Sequence, residues 1–323
     1  MTLTILSAVS VLGALALVTS FGARVIERRH PARGALVDVP GGKLHVLDLK
    51  PPRDRQSAAP LVVLHGASGN LQEMHLALGL LAQHRRVIFL DRPGHGWSDR
   101  PGGAADASPM RQAELVQAAL ARLGVGRAIV AGYSWSGALA LAYALRFPQS
   151  VAGLALLAPV THPWPGGIAW YYRAANLPGL GALFARTLVL PVGSLVASAL
   201  AKGVFRPQAM PRDYLGRAAI HLLFRPATFR ANARDVGELR RHLFEQSRRY
   251  PEIAAPTVII TGDCDLTVSP DIHARPTAAA LPNARLIVLE GVGHAVHHAA
   301  AERIALEIEA LAAADGGRRS LAS

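Results

Sequence analysis

The sequence predicts an α/β protein: a mostly parallel central sheet flanked by helices, with a helical cap insertion and an N-terminal hydrophobic helix. Three observations carry that expectation. Short apolar runs such as Leu61-Val62-Val63-Leu64 and Val151 to Ala158 alternate with helix-length segments, the pattern of strands buried on both faces of a parallel sheet. The alternation stops between Thr161 and Arg249, where aromatic residues, proline and glycine take over, and then resumes. Thr2 to Ala23 carries no charged side chain and is long enough to cross a hydrocarbon core of about 30 Å as a helix.

Composition bounds the alternatives. At 323 residues and 51% hydrophobic, the chain buries a sizeable core, as one large domain with an insertion or as two small ones. The net charge of +12 comes almost wholly from arginines that are scattered through the chain; this suits an anionic surface and points to no nucleic-acid module. The single cysteine, Cys264, excludes an internal disulfide and a cysteine-cluster metal site.

Taken in order, residues 1–33 read as an apolar segment and its basic flank. No Lys or Arg precedes the apolar run and Ser20-Phe21-Gly22 is a weak cleavage site, so an uncleaved membrane anchor is expected. Arg24, Arg28, Arg29 and Arg33 follow it, which by the positive-inside rule keeps the domain behind them in the cytoplasm. The alternative is a helix packed on the domain of a soluble or exported protein. The core then begins, over 34–160. Val37 to Leu49 reads as a hairpin around Gly41-Gly42, Pro51 to Pro60 as a polar loop, and 61–64 as a buried strand running into His65-Gly66-Ala67-Ser68-Gly69-Asn70. Arg86 to Leu90 is the next strand. It leads into Asp91 to Asp99, whose glycines and proline mark a fixed bend, so Asp91 and His95 are expected to be structural. Ser108 caps a helix reaching Leu123, with Pro109 in its first turn. Residues 161–250 form the expected cap; Leu188 to Ala201, broken by Pro191 and Gly193, supplies its inner face. The core resumes over 251–314 with strands at Thr257 to Thr261 and Arg285 to Leu289 and a closing helix from Ala299 to Ala314. Residues 315–323 read as a disordered tail.

The chemistry-bearing loops follow strands, where an open parallel sheet gathers its functional groups. Ala128 to Gly132 enters Tyr133-Ser134-Trp135-Ser136-Gly137, a sharp turn into the helix-like run Ala138 to Phe147. Such a turn needs small residues two places either side of a nucleophile, and Gly132 and Ser136 flank Ser134 in that way. A second frame makes Ser136 the nucleophile, between Ser134 and Ala138. A serine hydroxyl needs a neutral imidazole to take its proton, and the imidazole needs a carboxylate to fix its tautomer. His294, after Gly291-Val292-Gly293, is the candidate base, and Asp263 or Asp265 the candidate acid, in the chain order Ser, Asp, His. His297 and His298 have no carboxylate or thiol at metal-site spacing and read as packing residues; no metal or cofactor is expected.

These motifs together resemble the α/β-hydrolase superfamily, from about Gly34 to Ala314: His65-Gly66, Asp91-Arg92-Pro93-Gly94-His95-Gly96-Trp97-Ser98, Gly132 to Gly137, Gly262-Asp263-Cys264-Asp265 and Gly291 to His294. The branch resembled holds esterases, haloperoxidase-like perhydrolases, C–C bond hydrolases, epoxide hydrolases and haloalkane dehalogenases. The last two carry an aspartate where this chain has Ser134. The resemblance implies a triad of Ser134, Asp265 and His294, with Asp263 the alternative acid. It also implies an oxyanion hole from the N–H groups of Ala67 and Trp135. The implied activity is hydrolysis of an ester-like bond in a hydrophobic small molecule through an acyl-enzyme. Acyl transfer, peracid chemistry or C–C hydrolysis would use the same residues, and a silent ligand-binding protein on the same fold is the remaining alternative.

Overall fold

The computed structural model describes residues 2–51 and 59–322; the side chains of residues 2, 3, 5, 8 and 316–322 are not described. In chain order the elements begin with α1 (Thr2–Arg29), β1 (Ala35–Val39), β2 (Gly42–Leu49), β3 (Leu61–Leu64), α2 (Leu71–Leu78), β4 (Val87–Leu90) and α3 (Pro109–Arg122). Next are β5 (Ala128–Tyr133), α4 (Ser136–Arg146) and β6 (Val151–Leu157), then the cap helices α5 (Trp170–Asn176), α6 (Leu180–Thr187), α7 (Val189–Phe205), α8 (Tyr214–Arg217) and α9 (Pro226–Gln246). The chain closes with β7 (Thr257–Gly262), α10 (Ala274–Ala280), β8 (Ala284–Leu289), α11 (Val296–Ala299) and α12 (Ala301–Ala322).

The eight strands form one sheet in the order β1-β2-β4-β3-β5-β6-β7-β8. The hairpin strand β2 pairs antiparallel with β1 and β4, and the pairings from β4 to β8 are parallel. Parallel strands covered on both faces cannot alternate apolar with polar, and β3, β4, β5 and β6 are buried at every position. One apolar cluster lies on the face covered by α3 and α4; a second, on the other face, takes in Met74 of α2 and Ile304, Ile308 and Leu311 of α12. Ser108 caps α3 by accepting from Arg111 N at 3.4 Å, and Pro109 sits in the first turn, where no N–H is needed.

Three expectations change. The expected anchor helix does not stop at Ala23 but runs to Arg29, and its C-terminal half docks on the cap: Ala23 and Ile26 pack against the α6–α7–α9 cluster, Thr19 Oγ1 donates to Thr187 O at 3.4 Å, and Glu27 pairs with Arg225 at 3.2 Å. The break expected at Pro191 is absent because Pro191 is the third residue of α7, where its missing N–H costs nothing; the bend instead falls between α6 and α7, at 65°. The expected disordered tail continues α12 as far as Ala322: Asp315 is buried and accepts from Arg127 Nη2 at 2.6 Å. Ser323 and residues 52–58 of the expected loop lie outside the described residues.

Candidate active site

Ser134 stands between β5 and α4 with φ at 51°, a left-handed conformation that is strained for a residue with a Cβ. Its own N–H donates to Leu157 O, and its carbonyl accepts from Val160 N, both at 2.9 Å, so neighbouring β6 holds the turn in place. The turn is tight enough to require glycine at position 132: a Cβ there would lie 2.2 Å from Ser136 O.

His294 Nε2 lies 3.0 Å from Ser134 Oγ, and His294 Nδ1 lies 2.7 Å from Asp265 Oδ2. Asp265 Oδ1 accepts from Thr267 N and Val268 N, each at 2.8 Å, so the carboxylate is fixed by backbone on one oxygen and by the imidazole on the other. All three side chains are buried, which keeps water from competing for these bonds. The alternative residues are placed elsewhere. Asp263 accepts from Gly291 N at 2.8 Å and ties the β7 loop to the β8 loop. Ser136 is fully buried and donates to His65 O at 2.5 Å.

The His65-Gly66-Ala67 loop crosses beside the nucleophile: a Cβ on Gly66 would lie 3.0 Å from Ser134 Cβ. His65 anchors that loop with backbone alone, donating from Nδ1 to Gly66 O at 2.8 Å and accepting at Nε2 from Arg92 N at 3.0 Å. Burial, reinforced by Arg92 and His95, pushes its pKa down to about 3, so the ring stays neutral. Trp135, the N-cap of α4, is buried with Arg92 stacked 4.0 Å over its ring, and Arg92 pairs with Asp235 of α9 at 2.7 Å. Asp91 and His95 are bonded to groups other than Ser134. Asp91 accepts from Leu71 N at 2.7 Å and Trp97 N at 3.0 Å, and His95 is buried beside Arg92 and Asn232. Cys264 is exposed, and Asp263 raises its thiol pKa, through a hydrogen bond first.

A cavity of about 560 Å³ reaches from Ala67, Tyr133 and Ala295 up between the cap helices, walled by Trp170, Phe184, Val192, Val196 and Phe229. A second hollow of about 880 Å³, lined by arginines including Arg186, Arg225 and Arg234, shares no lining residue with it. The floor of the first holds residues that sequence reasoning missed. Asn70-Leu71-Gln72-Glu73 reads as a helix cap, and Asn70 Oδ1 does accept from Gln72 N at 2.8 Å. Glu73 turns instead to His297, 224 residues away, and hydrogen-bonds its Nε2, so a carboxylate does stand against the histidine pair read as packing residues. Burial alone would raise the Glu73 pKa, but His297 and His298 overturn that and lower it.

Residues 59–301 match the family described as alpha/beta hydrolase fold. Over 249 residues the chain is 30% identical to the dihydrolipoyllysine-residue acetyltransferase component of the acetoin cleaving system of Pseudomonas putida, which covers 77% of this chain but 62% of that relative, under two thirds of its length. It is 27% identical over 242 residues to a 2-hydroxy-6-oxononadienedioate/2-hydroxy-6-oxononatrienedioate hydrolase of Cupriavidus pinatubonensis, covering 73% of this chain and 81% of that one. The solved structure of a membrane phospholipase A shares the fold over 97% of this chain and 96% of its own, at 23% identity and a TM-score of 0.61.

Proposed function

The chain belongs to the alpha/beta hydrolase family, and from that premise we propose that it is a serine hydrolase cleaving an ester-like bond next to an apolar acyl group. The carrying observation is the unbroken relay from Ser134 Oγ to His294 at 3.0 Å and from His294 to Asp265 at 2.7 Å. In this reading Ser134 Oγ attacks the carbonyl carbon while His294 Nε2 takes its proton. Asp265 holds Nδ1–H and steadies the imidazolium, and the N–H groups of Ala67 and Trp135 receive the developing oxyanion. The tetrahedral intermediate collapses to an acyl-enzyme as His294 returns the proton to the departing alcohol. Water, deprotonated by the same nitrogen, then frees the acid and Ser134. The acyl group takes the 560 Å³ cavity, whose walls are mainly apolar and aromatic. Those walls favour a hydrocarbon chain over a dicarboxylate such as the one named for the Cupriavidus relative.

The same reading extends to location. The stretch Val9–Arg29 is long and apolar enough to cross a membrane, and Val9, Val11, Leu17, Val18 and Phe21 are exposed on it. We take α1 as an anchor with the domain on the cytoplasmic side, where Arg28, Arg29 and Arg33 meet anionic headgroups. Because α1 docks on α6 and α7, and Leu188, Val192 and Val196 of the α6–α7 stretch wall the cavity while remaining exposed, acyl chains would enter from lipid.

The test treats detergent-purified protein with a fluorophosphonate probe and then assays aryl esters of rising chain length. Labelling lost in Ser134→Ala, with turnover rising along the series, is the expected result. Wild type that neither labels nor turns over any ester would favour the silent binding protein.

A further inference from the structure

We propose that Glu73, His297 and His298 form a binding site for a transition-metal dication, zinc above all, on the floor of the acyl cavity. The proposal is independent of the triad chemistry. The three residues come from two elements, α2 and α11, and each offers one ligand atom within 4.8 Å of the others. A four-coordinate zinc with bonds of about 2.0–2.1 Å sets neighbouring ligand atoms roughly 3.3 Å apart. His298 Nε2 stands 3.5 Å from Glu73 Oε1, close to that spacing, and the hydrogen-bonded Glu73–His297 pair has only to part around the ion.

The cluster has capacity that the protein does not use. Glu73 is 3% exposed, yet its Oε2 has no hydrogen-bond partner among the described residues; His298 Nε2 faces Glu73 Oε1 at 3.5 Å, too long for a good hydrogen bond. A buried carboxylate oxygen left without a donor is costly, and a cation coordinated there would remove the cost. The frame is rigid. The His297 ring packs 4.0 Å from Tyr133, and the His298 ring packs 5.2 Å from Phe205 and 5.4 Å from Tyr214. Asn70 pins the first turn of α2, from which Glu73 projects.

Two imidazoles and one carboxylate are a donor set that zinc takes in sites keeping a fourth position open. Glu73 and His297 both line the cavity, so that open position faces it. There the ion would accept an anionic or carbonyl oxygen of a cavity ligand, next to Tyr133, whose other ring contact is His294 at 5.1 Å. By the general order of divalent affinities the site would also take copper and nickel, and it would discriminate against magnesium and calcium, which prefer all-oxygen shells.

The experiment uses full-length, chelator-stripped protein titrated with zinc chloride by calorimetry. One zinc per chain should bind, and Glu73→Gln and His298→Asn should each weaken it by about tenfold or more while His242→Asn leaves it unchanged. Circular dichroism establishes that each variant is folded. X-ray absorption on zinc-loaded wild type should find two imidazoles and one carboxylate, a readout that needs no variant. Absence of saturable binding would overturn the site. So would affinity unchanged in both variants, or a zinc shell containing the Cys264 thiolate.

Discussion

Two carboxylate–imidazole pairs meet the same tyrosine ring, and their histidines stand three residues apart in the chain: Asp265 with His294, and Glu73 with His297. Their surroundings separate them. Asp265 spends one oxygen on two backbone N–H groups, so its other oxygen can only face the imidazole, and the imidazole is turned toward Ser134. Glu73 is held by side chains, and among the described residues its Oε2 has no partner. Backbone donors pre-orient a carboxylate without titrating or moving, which is what a proton relay requires. A carboxylate held by imidazoles retains coordination capacity, which is what a ligand site requires.

The largest effect expected from breaking this contrast is on the first pair. Asp265→Asn should lower turnover by about 10⁴-fold, because the amide no longer selects the imidazole tautomer that accepts from Ser134. Asp263→Asn, one loop turn away, should leave turnover within assay scatter. Steady-state kinetics on one aryl ester compares them, and equal losses would remove Asp265 from the relay. On the second pair the expected loss is of stability. Glu73→Gln turns the charge-assisted hydrogen bond from the neutral His297 ring into one between neutral groups, and a hydrogen bond to a charged group is worth about 1.5–3 kcal/mol. Urea unfolding at neutral pH measures it; an unchanged midpoint would mean that a neutral amide in place of the carboxylate keeps every contact that matters.

His65 is the reference for both pairs, a buried imidazole bonded to backbone. Its folded pKa of about 3 lies below the ordinary 6.5, so between those values the unfolded chain binds a proton that the folded chain refuses. The stabilising contribution is complete above pH 6.5 and is lost as pH falls, at up to about 1.4 kcal/mol per pH unit for one proton. His297, also lowered, by burial first, acts in the same direction. Denaturation midpoints at a series of pH values give the slope, and His65→Gln should flatten it; a stability that rises on acidification would contradict the assignment.

How much of this was legible in sequence depends on the range of the interaction. The strands at 61–64, 87–90 and 128–133 lie where the apolar runs put them, because a doubly covered parallel strand has no polar positions to blur its ends. Ser134, His294 and the loop of Asp263 and Asp265 are legible for a related reason: each sits in a glycine-marked loop directly after a strand, and the parallel order brings those strand ends together, whereas the choice of Asp265 over Asp263 rests on the family resemblance. Glu73 is not legible. Its contact spans 224 residues, and locally it looks like the third residue of a cap. The docking of α1 on the cap depends likewise on Thr187 and Arg225, far along the chain. The continued α12 turns on Arg127 reaching Asp315.

The smallest expected effect concerns the two hydroxyls of the turn. Ser134 Oγ faces an imidazole, whereas Ser136 Oγ donates to the carbonyl of His65 and is fully buried. That bond joins the turn to the loop that carries Ala67. Ser136→Ala leaves the His65 carbonyl without this donor in a dry site, at a cost of about 1–2 kcal/mol. Fluorophosphonate labelling of the variant should persist, because the Ser134–His294–Asp265 chain does not pass through Ser136. Turnover should fall only as far as the Ala67 N–H drifts from the oxyanion. The outcome that reverses the two roles is equally plain: labelling lost in Ser136→Ala but kept in Ser134→Ala would make Ser136 the nucleophile and Ser134 the strut.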